Sequence, residues 1–365
     1  MEKVLVACPQ ERDRREIAAA GLESRFGVRF AGPDLDADAI WTAEGLVDEL
    51  AAIPADAVVG TKDRSALVAA LVAERMRLPG PTPAALVRCQ HKPTAREIAR
   101  SVVPEATPGF GDVGPPAFVK PAVGRLSQGY DEAYIAGWRE LAALAGFHGD
   151  VGLLAEERLA GDEVTLEGYV HDGRVTAIGV TDSVMYPDTN SFERFEYPSR
   201  LPEERRAELA RVAELLLPAL GFDGGFFNLE FFVPEAAAAK VIEVNGRIAS
   251  QFAPLVRAVH GRSTYETLFE VASGRDPAWS PGPPDGVAVS YVLRVFEDAF
   301  VEAVPEPRDD LEVLVRPGLR LSEQPGANDE ASYRLAIVVG AAETREEAVT
   351  LCRERARALP FRLRL

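Results

Sequence analysis

Apolar and polar positions alternate along the first eighty-five residues in a regular order of strands and helices. The compact apolar runs predict strands at 3–7, 28–32 and 57–60, and the amphipathic stretches predict helices at 10–21, 44–52 and 64–76. Strands separated by helices pair in parallel, so residues 1–85 are predicted to form a small parallel α/β domain. It carries no G-x-G-x-x-G fingerprint, which argues against a dinucleotide site.

The rest of the chain mixes strands and helices without a fixed order, which is typical of an α+β fold. The predicted strands are 117–120, 151–157, 163–170, 174–182, 287–296 and 333–339, with a short one at the end, and the predicted helices are 93–101, 131–145, 203–220, 264–273 and 344–357. The rigid run 78–83 and the Pro/Gly-rich run 280–286 are predicted boundaries. The expected domains are therefore 1–85, 86–280 and 287–365.

Composition and charge indicate which partners and which cellular location to expect. The chain has 365 residues, 47% of them hydrophobic, and a formal net charge of −17, so nucleic acid and anionic membranes are unexpected partners. The cysteines Cys8, Cys89 and Cys352 are far apart, and the four histidines lack metal-ligand spacing. With no secretory leader and no apolar run near 20 residues, a cytoplasmic location is expected.

Two apolar runs, 226–232 and 241–247, are the most informative part of the chain. If they pair as a hairpin, the carboxylates of Glu230 and Glu243 and the amide of Asn245 converge on one face. Carboxylate and amide oxygens are ligands that Mg²⁺ prefers. A surface hairpin with a polar outer face is the alternative, but a buried charge among apolar neighbours needs a partner or a metal.

The same period of two places Asn228 beside Glu230 and Arg247 beside Asn245. An arginine near a magnesium site can hold a phosphate or a carboxylate through its fork of N–H donors.

Two lysines stand where a phosphate could bind. Lys120 ends an apolar strand and precedes a loop with Gly124, Ser127 and Gly129, whose backbone can approach phosphate oxygens closely. Lys92 opens a predicted helix, where a lysine opposes the helix dipole and so favours an anionic partner. A plain Lys-Pro turn and an exposed lysine are the alternatives.

The acidic segment 156–163 joins two predicted strands. The backbone of Glu157, Arg158 and Leu159 could pair with an adenine edge, and Glu163 could accept hydrogen bonds from ribose hydroxyls. An acidic hairpin turn is the alternative.

Taken in order, these motifs resemble the ATP-grasp superfamily, in particular its carboxylate–amine ligases, biotin carboxylase-like enzymes and L-amino acid ligases. The resemblance covers roughly residues 80–300, and the first domain resembles the pre-ATP-grasp domain. It implies two α+β lobes that clamp ATP: a lid lobe at about 110–160 and a metal-binding lobe at about 160–280. A C-terminal α+β subdomain completes the expected fold.

The resemblance also implies a role for each motif residue. The phosphates of ATP would be held by Lys92, Lys120 and the loop around Ser127, the adenine amino group would be bound by Glu156, with Glu157, Arg158 and Leu159 as the hinge, and the ribose would be bound by Glu163. Mg²⁺, or Mn²⁺ in its place, would be bound by Glu230, Glu243 and Asn245. The substrate carboxylate or its acyl phosphate would be bound by Arg247, with Asn228 beside it. The residues closest to the reaction would be Lys120, Asn228 and Arg247.

The implied activity joins a small-molecule carboxylate to an amine, which points to amino acids or small peptides. ATP would convert the carboxylate to an acyl phosphate, and the amine would displace phosphate, so ADP and phosphate leave; a homodimer is compatible with this. The polar, turn-rich segment 182–194 offers Tyr186, Asp188 and Arg194 as further substrate contacts.

Two other functions stay open. Biotin carboxylases carry a glutamate as base four residues after the arginine, and this chain has Gln251 there. An amide cannot take a proton in that way, so carboxylation is disfavoured. The second alternative is a catalytically silent ATP-binding sensor.

Overall fold

The structure is a computed structural model that describes residues 1–35, 41–124, 131–189, 191–324, 328–329 and 332–365. The helices are α1 (Glu11–Ala19), α2 (Ala43–Ala51), α3 (Asp63–Met76), α4 (Pro83–Gln90), α5 (Lys92–Val102), α6 (Glu132–Leu144), α7 (Glu203–Ala219), α8 (Ala253–His260), α9 (Thr264–Ala272) and α10 (Arg345–Arg357). The predicted phosphate-loop residue Ser127 lies outside the described residues.

The strands are shorter and more numerous than the helices. They are β1 (Lys3–Ala7), β2 (Gly27–Ala31), β3 (Ala57–Val59), β4 (Ala117–Pro121), β5 (Leu153–Glu157), β6 (Asp162–His171), β7 (Arg174–Met185), β8 (Phe192–Tyr197), β9 (Gly225–Val233), β10 (Lys240–Asn245), β11 (Val287–Val295), β12 (Phe300–Ala303), β13 (Leu311–Val313), β14 (Asn328–Asp329), β15 (Ser332–Ala342) and β16 (Arg362–Arg364).

The first domain is the predicted parallel α/β unit. Its three strands pair in parallel in the order β2-β1-β3, which confirms the prediction from the apolar runs. Helix α3 follows β3 and is buried over most of its length, because its small and branched apolar residues pack against α2, α4 and α6. Ligands bind at the carboxyl ends of strands in such sheets, and here that end of β3 leads directly into α3.

Beyond the first domain, the largest sheet of the described residues is antiparallel and has nine strands, and β12 and β16 pair separately. Its order is β10-β9-β6-β7-β8-β11-β15-β13, with β14 added to β15. Strands β11 and β15 belong to the predicted C-terminal subdomain, so this subdomain continues the sheet of the metal-binding lobe. The domain bounds themselves stay a prediction.

One face of the sheet is apolar, and the other face is polar at the end formed by β6, β9 and β10. Val164, Leu166, Leu229 and Phe231 are almost fully buried and belong to the same hydrophobic cluster as α7. The alternate residues of β6, β9 and β10 face the other way, since side chains in a strand alternate between faces. The carboxylates and amides singled out above lie on that second face.

The hairpin register is the one expected from its period. Glu243 lies opposite Glu230, and Asn245 lies opposite Asn228. Strand β6 adds Glu167 opposite Asn228 on the neighbouring pair. Directly opposed residues share a face of the sheet, so the three strands present one polar strip.

Strands β4 and β5 form a separate two-stranded sheet next to α6. Both strands lie within about 110–160, the residues predicted to form a lid lobe. Trp138 of α6 is fully buried, and its indole nitrogen donates to Gln90 Oε1 of α4 at 2.7 Å; Gln90 Nε2 in turn donates to the Asp63 carbonyl oxygen, which ties this region to the first domain.

Several elements were not predicted from the sequence. Helix α4 begins at the last residue of the rigid run 78–83, where Thr82 caps it and Pro83 suits its first position. The polar segment 182–194 is largely strand, because β7 runs to Met185 and β8 starts at Phe192. Charged residues of β8 obscured its strand character, and arginines of α10 neutralise them. Also missed were α8, β12, β13 and β14.

A membrane-spanning helix was not expected from the sequence. In the part of the chain that the structure describes, no helix has the length and apolar character to cross a bilayer.

Gly60 is predicted to be required for the turn from β3 into α3. A Cβ atom there would collide with the backbone of Ser65 and Ala66, which cannot move aside as a flexible side chain could. Gly60→Ala should lower the unfolding free energy by about 1–3 kcal/mol, measured by urea denaturation. Gly114→Ala is the control because its Cβ would meet no atom within 4 Å. Equal stability of the two variants would contradict the close approach.

Candidate active site

Lys92 opens α5 and is held inside the molecule. Its Nζ lies 2.7 Å from Glu243 Oε1 and donates to the Gly124 carbonyl oxygen at 2.6 Å. The side chain is 6% exposed, so the charge is compensated by Glu243 rather than by water. The predicted phosphate-binding lysine and a predicted metal ligand are therefore direct neighbours.

Lys120 is also paired with a carboxylate. Its Nζ lies 2.6 Å from Glu156 Oε2, and Arg96 pairs with the other oxygen of Glu156. Lys120 and Arg96 both donate to the Ile242 carbonyl oxygen, so β4, β5, α5 and β10 are tied at one point. Glu156, which is predicted to contact adenine, thus forms ion pairs with two cationic side chains.

Burial and charge shift the pKa values of this cluster. Burial, together with the neighbouring Arg96 charge, lowers the pKa of Lys120 to about 8. Burial alone would raise the pKa of Glu156, but Arg96 and Lys120 together lower it. Glu156 is therefore an anion that anchors both cations.

The predicted hinge residues connect β5 to β6. Glu157 makes two hydrogen bonds with the backbone of Gly109. Its N–H donates to the Gly109 carbonyl oxygen at 2.8 Å, and its side-chain Oε1 accepts from the Gly109 N–H at 2.8 Å. Glu157 and Arg158 are exposed, and Leu159 is half-buried. The segment lies next to Glu163, the predicted ribose contact.

Three glutamates crowd the polar strip. Burial and the neighbouring Glu230 and Glu243 raise the pKa of Glu163 to about 8. Burial and Glu243 raise the pKa of Glu230 to about 7. The described part of the chain has no group of three acidic, histidine or cysteine side chains arranged for a metal ion. The predicted set of two carboxylates and Asn245 nevertheless suits Mg²⁺, because a cation would relieve their mutual repulsion.

A chain of hydrogen bonds runs across β10, β9 and β6. Arg247 Nη2 donates to Asn245 Oδ1 at 3.3 Å, and Asn245 Nδ2 donates to Asn228 Oδ1 and to Glu230 Oε1, each at 3.2 Å. Asn228 in turn bonds Glu167. An arginine can only donate, so Asn245 turns its oxygen to Arg247 and its nitrogen to Asn228 Oδ1, and this fixes the orientation of both amides.

Arg247 itself lies beyond the end of β10, which stops at Asn245. The sequence analysis placed it on the strand, and the structure corrects this. Its Nε lies 2.6 Å from Asp63 Oδ1, and its Nη1 donates to the Ile248 carbonyl oxygen at 3.2 Å. The guanidinium is therefore held by the first residue of α3 as well as by Asn245.

The residues after Arg247 form an anchored segment, 248–251. The Ala249 N–H donates to Glu167 Oε1 at 3.0 Å, and Lys62 Nζ donates to Ser250 Oγ at 3.2 Å. Gln251 Nε2 donates to Ser290 Oγ of β11 at 3.2 Å. Elements from across the fold thus hold this segment beside the hydrogen-bonded chain.

The three tentative substrate contacts are not brought together with this chain. Tyr186 Oη donates to the Val292 carbonyl oxygen at 2.9 Å, and its ring packs against Phe296. Asp188 is exposed in a turn with φ 58°. Arg194 pairs with Glu193 and Glu196. Their substrate role stays a prediction.

The sequence analysis missed Asp63, Arg96 and Glu167. Glu167 had a signal, because it continues the alternation of Glu163 and Thr165 along β6. Asp63 had a weaker one, since it follows the carboxyl end of a predicted parallel strand. Arg96 had none, because its partner Glu156 is 60 residues away.

Comparisons with known proteins decide the fold. No protein-family model and no curated protein sequence matches the chain. The structure resembles that of an L-amino acid ligase from Bacillus licheniformis with a TM-score of 0.78 at 18% identity, over 100% of this chain and 99% of that chain. The chain has the ATP-grasp fold. At this level of identity the likeness extends to the fold alone.

Two further ATP-grasp structures match over the whole chain. A phosphoribosylglycinamide synthetase from Anaerococcus prevotii has a TM-score of 0.72 at 13% identity, with 100% of both chains covered. The biotin carboxylase domain of a 2-oxoglutarate carboxylase from Hydrogenobacter thermophilus has a TM-score of 0.71 at 17% identity, over 100% of this chain and 91% of that one. The latter is a dimer in complex with MgADP, ADP and bicarbonate.

The raised pKa of Glu230 predicts a stability change with pH. The unfolded carboxyl titrates near 4.5 and the folded one at about 7, so the folded state binds more protons between these values. Stability of the metal-free protein should therefore fall as pH rises through this window. In Glu230→Gln the fall should be smaller by about 3 kcal/mol, measured by urea denaturation at several pH values.

Glu235→Gln, in the exposed turn of the same hairpin, is the control and should keep the wild-type pH dependence. An unchanged slope in Glu230→Gln would show that Glu230 is ionised throughout.

Proposed function

We propose that the protein is an ATP-dependent carboxylate–amine ligase. It converts a carboxylate to an acyl phosphate with ATP and joins it to an amine, releasing ADP and phosphate. The observation that carries this is the bonded series Arg247–Asn245–Glu230. It links an anion-binding guanidinium to the carboxylate set suited to Mg²⁺, which is what phosphoryl transfer to a carboxylate requires.

The nucleotide end of the site uses the lysines and the hinge. Lys92 and Lys120 bind phosphate oxygens of ATP, and the hinge from Glu156 to Leu159 holds the adenine. Glu163 holds the ribose. Lys92 is paired with Glu243, so a cation suited to phosphate and an anion suited to Mg²⁺ lie side by side.

Glu230, Glu243 and Asn245 hold the magnesium. Bound Mg²⁺ neutralises charge on the transferred phosphoryl group. Glu230 and Glu243 accept a cation readily because it removes the repulsion that raises the pKa of Glu230. Mn²⁺ has similar oxygen-ligand preferences and is an alternative metal.

The acyl end uses Arg247 and Asn228. Arg247 binds the substrate carboxylate and then the acyl phosphate, while Asn228 lies one hydrogen bond further along the chain. The carboxylate oxygen attacks the γ-phosphorus and ADP leaves. The amine nitrogen then attacks the acyl carbon, the bond from that carbon to the phosphate oxygen breaks, and phosphate leaves. No covalent intermediate with the protein is needed.

Amino acids or small peptides are the proposed substrate class. The likeness to an L-amino acid ligase over the full length of both chains supports this choice. Tyr186, Asp188 and Arg194 remain candidate contacts of the proposal. A cytoplasmic location and a homodimer fit the proposal, and light scattering of the purified protein tests the dimer.

Biotin carboxylation is the second candidate because biotin carboxylases share the fold. Gln251 stands at the position of the expected base and donates its amide to Ser290. An amide does not accept a proton at neutral pH, so bicarbonate with free biotin should give no ADP release. Bicarbonate-dependent release would favour this candidate over the ligase.

The proposed function is tested by incubation with ATP, Mg²⁺ and pools of amino acids. Release of ADP and phosphate that depends on a pool, with a new amide detected by mass spectrometry, supports the ligase. ATP binding without release in any pool supports the sensor instead.

Glu243→Gln should abolish turnover, because it removes one of the two metal-binding charges that phosphoryl transfer needs. We expect a loss of at least about 100-fold in kcat with an unchanged far-UV circular dichroism spectrum. Glu235→Gln in the exposed hairpin turn should keep full activity. Full ATP-dependent activity of Glu243→Gln would show that the metal set is assigned incorrectly.

A further inference from the structure

Asp63 connects the first domain to the acyl end of the active site. It is the first residue of α3, and its Oδ1 lies 2.6 Å from Arg247 Nε. Both side chains are largely buried, with 12% and 14% of their surface exposed. A charge pair removed from water holds its geometry more firmly than an exposed pair.

The position of Asp63 is fixed from its backbone outward. Gln90 Nε2 donates to the Asp63 carbonyl oxygen at 2.7 Å, and the Trp138 indole holds the other end of the Gln90 amide. The turn before α3 is closed by Ser65, whose Oγ accepts from the N–H groups of Thr61 and Lys62. The carboxylate therefore points at Arg247 from a rigid support.

The guanidinium of Arg247 is held at all three of its nitrogens. Nε bonds Asp63, Nη1 bonds the Ile248 carbonyl and Nη2 bonds Asn245. An arginine has five N–H donors in a plane, so the described residues use three of them and leave two for a ligand. Without Asp63 the bond at Nε is lost, and only the two longer bonds at Nη1 and Nη2 hold the guanidinium plane, so its remaining donors are aimed less firmly.

We propose that Asp63 is a positioning residue of the carboxylate-binding site, which aims the free N–H groups of Arg247 at the substrate. The proposal rests on the proposed ligase function. The first domain then contributes to the carboxylate-binding site through Asp63, although Asp63 does not itself touch the substrate. Asp63 also lies in the first turn of α3, where an acidic residue favours the helix dipole, so a purely structural role must be separated from positioning.

Asp13 supplies the matched control. It also lies in the first turn of a helix of the first domain, is fully buried and bonds a residue outside that domain, since Tyr265 Oη of α9 donates to it at 2.6 Å. Its partner lies on α9 and not on the hydrogen-bonded chain of the active site. Asp13→Asn thus removes a comparable domain contact without touching Arg247.

The kinetic test uses hydroxylamine as the amine, because it converts an acyl phosphate to a hydroxamate that is measured by colour with ferric ion. Wild type, Asp63→Asn, Asp63→Ala and Asp13→Asn are assayed with ATP, Mg²⁺ and each of the twenty amino acids. For the amino acid that responds, the KM should rise about 10- to 100-fold in Asp63→Ala. Asp63→Asn should be affected less, because its amide oxygen still accepts from Arg247.

The KM for ATP should stay unchanged in every variant. Asp13→Asn should lower the unfolding free energy but leave the KM for the amino acid unchanged. A parallel rise of both KM values in Asp63→Ala, or no rise in either, would overturn the positioning role.

A second measurement does not depend on activity. In protein labelled with ¹⁵N-arginine, the Arg247 Nε–H resonance is assigned by its loss in Arg247→Lys. Asp63→Ala should shift and broaden this resonance, and Asp13→Asn should leave it in place. An unchanged resonance in Asp63→Ala overturns the proposal. If wild type forms no hydroxamate with any amino acid, the ligase function fails, and the resonance still decides whether Asp63 holds Arg247.

Discussion

The candidate active site depends on one constraint: an arginine can only donate hydrogen bonds. Arg247 therefore turns the amide oxygen of Asn245 towards itself, so the Asn245 nitrogen donates to Asn228 Oδ1 and the Asn228 nitrogen is left to bond Glu167. Asn245 also donates to Glu230, so the carboxylate proposed to bind the metal and the guanidinium proposed to bind an anion are held in one network. A misplaced member would leave a buried polar group without a partner, which is costly.

The charged groups of the same site are arranged in pairs. Lys92 compensates Glu243, and Lys120 with Arg96 compensates Glu156. Buried charges that lack water need such partners. MgATP brings both a cation and an anion, so it can replace partners on each side without leaving a charge uncompensated. This explains why so many ionisable groups are tolerated in an interior that is otherwise apolar.

Most of the fold could be predicted from the sequence because the patterns of apolar and polar residues that specify its strands and helices are local. The apolar runs of the first domain and the period of two along 226–232 specify strands whatever lies around them. Strand β8 could not be found in this way, because its charged residues are neutralised by arginines of α10 about 150 residues later. For the same reason Arg96 was missed, while Glu167 continued an alternation that was already visible.

The sequence by itself determined the parallel first domain, the antiparallel hairpin and the pairing of Glu230 with Glu243, because spacing along a strand decides which side chains share a face. Only the tertiary structure decided what surrounds them. It brought Asp63 against Arg247 across 184 residues of chain, and it bonded Glu167 to Ala249. Such contacts depend on how separate elements pack, and no local pattern of residues records that packing.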